Sequence, residues 1–254
     1  EAQRPWLHLY RGVRPNLKPA CETALDMFRA TLPRNGRAPL VHYFDRSLSA
    51  AECDAMSDAL AVGLQQRGVE VGDRVAVYLQ NVPQVVIAVL AIWKCGAVVV
   101  PCNPMLRERE LGKILRSSGC LAMICQEDLY ADVGRAALPA TAVRQTITTS
   151  PLEFLDGGSP APAMLGAPRR SPQADTSDLM EIVARNKGEK PRPIELTGDD
   201  VAFMVHTSGT TGDAKGAMNT HRNVVFATSV YEAWIGLTSD DVILGLAPLF
   251  HVTG

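Results

Sequence analysis

Ten consecutive residues, Thr207, Ser208, Gly209, Thr210, Thr211, Gly212, Asp213, Ala214, Lys215 and Gly216, carry the densest chemistry in this 254-residue chain. Glycines permit the positive φ angles that turn successive backbone N–H groups toward one point, hydroxyls add donors, and a lysine adds full positive charge. Such a loop is built to grip an anion, and polyphosphate is the anion that engages all three features. The nearest general pattern is the Walker loop, G-x-x-x-x-G-K-[ST], whose lysine directly follows its second glycine and whose hydroxyl residue binds magnesium. Here Lys215 stands three positions after Gly212, and Gly216 takes the hydroxyl's place, so that pattern does not fit. The plain alternative is a Gly/Thr-rich turn that joins two strands and holds nothing.

The loop needs supports, and patterning predicts them. Ser49 and Glu52 form a capping box, so a helix starts there; Cys53, Met56, Leu60 and Leu64 give it one apolar stripe, and it ends near Gly68. A strand is predicted over 73–79. Pro83 suits the first turn of a helix that runs to Lys94 and stops at Gly96, and 97–100 reads as a short buried strand. A further helix over 108–117 turns Leu111, Ile114 and Leu115 inward and stops at Gly119, before strands over 121–125 and 143–148. The last predicted strand, 200–206, leads straight into the loop. Alternating strands and helices of these lengths imply an α/β fold with a mainly parallel sheet covered by helices, because parallel strands need crossover connections.

Between 155 and 198 this rhythm fails. Gly157, Gly158, Pro160, Pro162, Pro168 and Pro172 crowd a stretch that reads as a long, loop-rich connection, with a short helix over 178–185 bringing Leu179, Ile182 and Val183 to one face. Arg169 and Arg170 within it are either an anion site or simply a solvated pair. The expected organisation is therefore an N-terminal α/β part over 1–154, the connection over 155–198, and the opening of a second α/β part over 199–254.

Composition narrows the class of function. With 46% hydrophobic and 20% charged residues and a net charge of −2, the chain lacks the basic surplus that draws proteins to nucleic acid or anionic membranes. Six scattered cysteines, Cys21, Cys53, Cys95, Cys102, Cys120 and Cys125, show no metal spacing and read as small buried residues in a reducing, cytoplasmic compartment. The first 18 residues lack a signal peptide's apolar core. The longest apolar stretch, 85–102, is broken by Lys94 and Gly96 and falls short of the roughly 20 residues a spanning helix needs. Neither a transmembrane segment nor a nucleic-acid partner is expected; oligomeric state is open.

The loop resembles the signature of the adenylate-forming superfamily, [YF]-T-S-G-[ST]-T-G-x-P-K-G, shared by acyl-CoA synthetases, luciferases and the adenylation domains of peptide synthetases. From Ser208 to Gly216 the signature fixes eight positions and seven match; Ala214 replaces the usual proline, and His206 the usual aromatic residue. The similarity extends outward. AMNTHRNVV after the loop is similar to the family's strand-to-helix continuation, with Thr220 a natural N-cap and His221 a structural residue near the helix start. GVEVGDRVA from Gly68, with Asn81 beyond it, resembles an early strand and turn, and WKCGAVVVP from Trp93 a second core motif. Ala50 and Ala51 stand where a tyrosine is usual. PLFHVTG from Pro248 is closer to the acyl-CoA synthetase version of its motif than to the peptide-synthetase version.

What the resemblance implies is the N-terminal part of an acyl-CoA synthetase of the long-chain fatty-acid–CoA ligase kind. ATP would activate a fatty or aryl carboxylic acid as an acyl adenylate, releasing pyrophosphate, and coenzyme A would then displace AMP. Ser208, Thr210, Thr211 and the backbone at Gly209 and Gly212 would hold the β- and γ-phosphates. Lys215 would add charge or point to solvent, and Thr207 would touch Mg2+. His251 would be a gate or wall of the acyl pocket, or else a packed core histidine. The family's adenine-binding segments and C-terminal domain with its catalytic lysine lie beyond the motifs present, so these residues alone are expected to be inactive as a ligase. An acyl-AMP ligase, a luciferase-like enzyme and a noncatalytic ATP-binding relic share the same motifs. A serine hydrolase built on His206 and Ser208 is disfavoured, because no acid follows in the nucleophile-elbow arrangement.

Overall fold

The structure, a computed structural model, describes residues 4–12, 14, 16–155, 172–207 and 215–251. Helix α1 (Ala24–Asn35) and an antiparallel hairpin, β1 (Pro39–Tyr43) and β2 (Arg46–Ser49), lead into helix α2 (Ala50–Gln66). Then come β3 (Arg74–Tyr78), α3 (Pro83–Lys94), β4 (Val98–Pro101), α4 (Glu108–Ser118) and β5 (Ala122–Gln126). Two short helices, α5 (Glu127–Leu129) and α6 (Arg135–Ala137), flank a π-turn before β6 (Gln145–Thr149). The chain continues through β7 (Ser177–Asp178), α7 (Leu179–Arg185), β8 (Val201–His206), β9 (Gly216–Thr220) and α8 (His221–Tyr231). Seven strands form one sheet in the order β7-β6-β5-β3-β4-β8-β9, parallel throughout except for the final β8–β9 pair.

The α/β expectation holds, with the expected strands within about two residues of those observed. Side chains alternate between two apolar clusters as a sheet covered on both faces requires. Val75, Val77, Val99, Ala122 and Ile124 pack on the face carrying α1, α2, α3 and α7. Ala76, Tyr78, Val100, Met123 and Cys125 pack on the face carrying α4 and the 127–137 helical segment. The stretch expected as a buried helix and strand is α3 and β4, and among the described residues no helix is long and apolar enough to cross a membrane. All six cysteines are free thiols, and five are buried; burial pushes Cys53 up to about 11 and Cys95 and Cys120 up to about 12, keeping them protonated.

Local rules explain the helix ends. Ser49 Oγ accepts the Glu52 N–H at 3.2 Å while Glu52 Oε2 accepts the Ser49 N–H at 2.8 Å, closing the capping box. Gly119 ends α4 at φ +59°, where a side chain would be strained. Helix α7 starts on the cap of Asp178, whose carboxylate accepts the Glu181 N–H at 2.9 Å, and it packs on α2 through Leu179 and Ile182. Gly63 permits that approach: a Cβ there would lie 2.2 Å from Ile182 Cγ2. Helix α1 and the hairpin had no counterpart among the expected elements. Arg169 and Arg170 lie outside the described residues.

Strand order reverses at β3. From β3 the chain crosses to β4 on one side, and from β4 it returns to β5 on the other. The loop leaving β3 feeds α3 on one face, and the loop leaving β5 feeds the 127–137 segment on the opposite face. The connections leaving the carboxyl ends of β3 and β5 therefore diverge to opposite faces, the topology at which open α/β sheets receive ligands.

Candidate functional site

Strands β8 and β9 form the two walls of a hairpin, in register from Met204 opposite Met218 to His206 opposite Gly216. One step further the Thr207 N–H donates to the Lys215 carbonyl at 3.1 Å, closing the mouth of the loop. Both residues are exposed. Ser208, Gly209, Thr210, Thr211 and Gly212 fall between them and lie outside the described residues. Gly216 has a packing reason to be glycine: a Cβ would lie 2.9 Å from Met204 Cγ and 3.3 Å from His206 Nε2 across the hairpin.

One wall, β8, and helix α8, which follows the other wall, both meet Trp93 in the last turn of α3. Its indole N–H donates to the Ala202 carbonyl of β8 at 3.1 Å. Its ring meets Phe203 of β8 and His221 of α8 edge-on, each at 5.3 Å between centroids. Helix α8 starts at Thr220, as expected: its hydroxyl accepts the Asn223 N–H at 3.3 Å, and Asn223 Oδ1 accepts the Thr220 N–H at 3.0 Å. Where the family usually has an aromatic residue, His206 places Nε2 3.3 Å from Ser118 Oγ and 3.4 Å from Ser117 Oγ at the end of α4. Burial lowers its pKa.

His221 is structural, as its place beside the helix start implied. It is 1% exposed, and burial lowers its pKa from the usual 6.5 despite the opposing fields of Asp200 and Asp26. The unfolded chain thus protonates this ring at a higher pH than the folded chain. Between the two values the unfolded state binds more protons, so stability rises with pH there. The penalty is absent above about pH 6.5, grows as pH falls below it, and stops growing below the folded value. Urea midpoints are expected to fall from about pH 7.5 to about pH 5.5, by no more than about 1.4 kcal/mol per histidine involved. His221→Phe is expected to flatten that slope, and an unchanged slope would remove His221 as its source.

His251 lies on a separate stretch, 242–251, and is exposed in this chain. Its backbone N–H donates to the Pro248 carbonyl at 2.9 Å. The stretch is joined to the sheet at Asn81, just past β3, whose carboxamide bonds Gly245, Ala247 and Leu249. Of the expected site residues, then, Thr207 and Lys215 meet, and His251 is held elsewhere on the chain. Residue patterns missed Trp93 as an anchor; the signal available was a lone tryptophan in the last turn of an apolar helix.

An α/β protein with a glycine- and hydroxyl-rich hairpin loop, walled by two strands and backed by a capped helix, has the form of a nucleotide-phosphate binder. The chain belongs to the AMP-binding enzyme family, whose model matches residues 28–254. It is 29% identical, over its whole length, to a long-chain-fatty-acid–CoA ligase of Bacillus subtilis, covering 47% of that protein. It is 31% identical over 82% of its length to a medium-chain fatty-acid–CoA ligase of Escherichia coli, covering 34% of it. Among solved structures, a long-chain-fatty-acid–CoA ligase of Archaeoglobus fulgidus superposes with a TM-score of 0.75 at 25% identity, over 95% of this chain and 45% of that one. The chain spans about half the length, or less, of the curated relatives it matches.

Proposed function

We propose that this chain supplies the phosphate-gripping part of an ATP-dependent acid–CoA ligase acting on fatty or related carboxylic acids. In the whole enzyme a carboxylate oxygen attacks the α-phosphorus of ATP, the bond to the β-phosphate breaks, and pyrophosphate leaves. The coenzyme A thiolate then attacks the acyl carbon and expels AMP. A free carboxylate is too poor an acyl donor for that thioester to form directly. The observation that carries the reading is the closed hairpin mouth, Thr207 N–H to Lys215 O, which brings together the two residues that bracket the glycine- and hydroxyl-rich stretch.

On this reading Ser208, Thr210, Thr211 and the backbone at Gly209 and Gly212 face the β- and γ-phosphates, so the charge that builds on departing pyrophosphate meets fixed donors. Lys215, exposed at the mouth, adds its charge to the same anion. Among the described residues no three His, Cys, Asp or Glu side chains gather at one point. Magnesium would enter as part of the substrate MgATP, with Thr207 offering a single hydroxyl, consistent with that ion's habit of keeping phosphate and water ligands. His251 serves the acyl side of the site.

Calorimetry of MgATP with this chain tests the reading. Lys215→Ala combined with Thr211→Ala removes a charge-assisted contact and a hydroxyl donor, and is expected to weaken binding by at least about tenfold. Equal affinity for the double variant and the wild type would overturn the assignment of the loop.

A further inference from the structure

Asn81 stands three residues past β3, at the carboxyl end of the strand where strand order reverses. Its side chain spends its hydrogen-bonding capacity on one stretch of backbone more than 160 residues away. Nδ2 donates to the Gly245 carbonyl at 3.1 Å and to the Ala247 carbonyl at 2.9 Å, and Oδ1 accepts the Leu249 N–H at 2.9 Å. Both amide protons and the carbonyl oxygen are thus satisfied by alternate residues of a single segment. Only an amide matches that order: a carboxylate lacks the donors, and glutamine's extra methylene would push the pattern out of reach.

Among the described residues Val242, Ile243, Leu244 and Leu246 are each more than 70% exposed, so the contacts described for this segment are chiefly polar. Its internal hydrogen bonds, Leu246 N–H to Leu244 O and His251 N–H to Pro248 O, shape it locally without tying it to the sheet. The three bonds from Asn81 do tie it, and they end two residues before His251.

We propose that Asn81 is a positioning residue: its carboxamide seats the 245–249 backbone at the carboxyl end of β3 and so sets where His251 is presented to the carboxylic-acid substrate. The substrate clause rests on the acyl-side reading of His251 given above, whereas the clamp itself stands on the three hydrogen bonds. The clamp acts on the acid side of the site and leaves the hairpin loop alone.

Hydrogen exchange and histidine NMR on this chain test the proposal. In Asn81→Ala the Leu249 amide is expected to exchange about tenfold faster, while amides of β3 and β5 keep their wild-type rates. The His251 Cε1–H resonance should shift, and those of His206 and His221 should stay. Asn81→Asp keeps an acceptor for Leu249 but not the donors, and should give an intermediate exchange rate. Leu249→Pro removes the N–H from the other end and should reproduce the His251 shift, which covers the case of an Asn81 variant that fails to fold. A Leu249 amide at its wild-type rate and an unmoved His251 resonance in a folded Asn81→Ala variant would overturn the clamp. Decanoate titrated into the wild type tests the substrate clause separately: a His251 resonance that ignores it overturns the acyl-side reading and leaves the clamp intact.

Discussion

Lys94→Met is expected to destabilise the chain by about 3–5 kcal/mol, read as a shift of the urea midpoint, because it strips the buried counter-ion from Asp58, which folding takes out of water, and from the partly exposed Asp54. Lys94 is 2% exposed. Its ammonium reaches Asp54 Oδ1 at 2.6 Å, Asp58 Oδ1 at 2.7 Å, Ser57 Oγ at 2.8 Å and the Asp54 carbonyl at 2.9 Å. Asp54 and Asp58 are one turn apart on α2, so the charge at the end of α3 locks the two helices together. Lys190 also pairs with Asp58, but from the solvent side, with its side chain 72% exposed. Lys190→Met should therefore cost less than about 1 kcal/mol, as exposed ion pairs do. Adding Asp58→Asn to Lys94→Met should recover part of the loss, since it removes a stranded charge. A Lys94→Met midpoint equal to wild type would mean that water reaches Asp54 and Asp58.

That cluster marks a limit of pattern reading. In sequence, Lys94 appears only as a break in an apolar run, and Asp54 and Asp58 as polar positions beside the Cys53, Met56 and Leu60 stripe. The clue was the pairing of two aspartates at i and i+4 with the buried run 57–64, because carboxylates on a buried helix face demand a partner. Which lysine answers them is set by how α2 packs on α3, and no local rule gives that. Local signals, by contrast, were legible wherever a few adjacent residues decide the outcome: the Ser49–Glu52 box, Pro83, Gly119 and the Thr220 cap all act within one helical turn. The parallel sheet followed from the same rhythm, since buried strands and crossover helices leave periodic traces. Helix α1 was missed because its buried face is small, only Ala24 and Leu25 being fully buried. The bonds of Asn81 were out of reach for a different reason: partners some 165 residues apart leave no mark on spacing. The loop was the opposite case. Its composition proposes a chemistry without any knowledge of the packing around it, and MgATP binding is the test of that chemistry.

Trp93→Ala is expected to cost about 3–5 kcal/mol, the range for deleting a large buried aromatic ring. The distribution of that loss is more telling than its size. Trp93 is 7% exposed, and it touches β8 through both a hydrogen bond and Phe203, and α8 through His221. Strand β8 otherwise joins the parallel sheet at the single register pair Val99–Phe203. Amides of β8 and β9, and that of Thr207 at the loop mouth, should therefore exchange faster in Trp93→Ala by a larger factor than amides of β5 and β6, which share five register pairs. Trp93→Phe separates the two contributions: it retains an aromatic ring but leaves the Ala202 carbonyl without its donor, a loss of about 1–3 kcal/mol. If Trp93 matters only as core volume, exchange will rise evenly across the sheet in both variants. If it anchors the hairpin, the increase will concentrate between Val201 and Thr220, and MgATP affinity will fall with it, because a phosphate loop on loose walls must be ordered at the expense of binding.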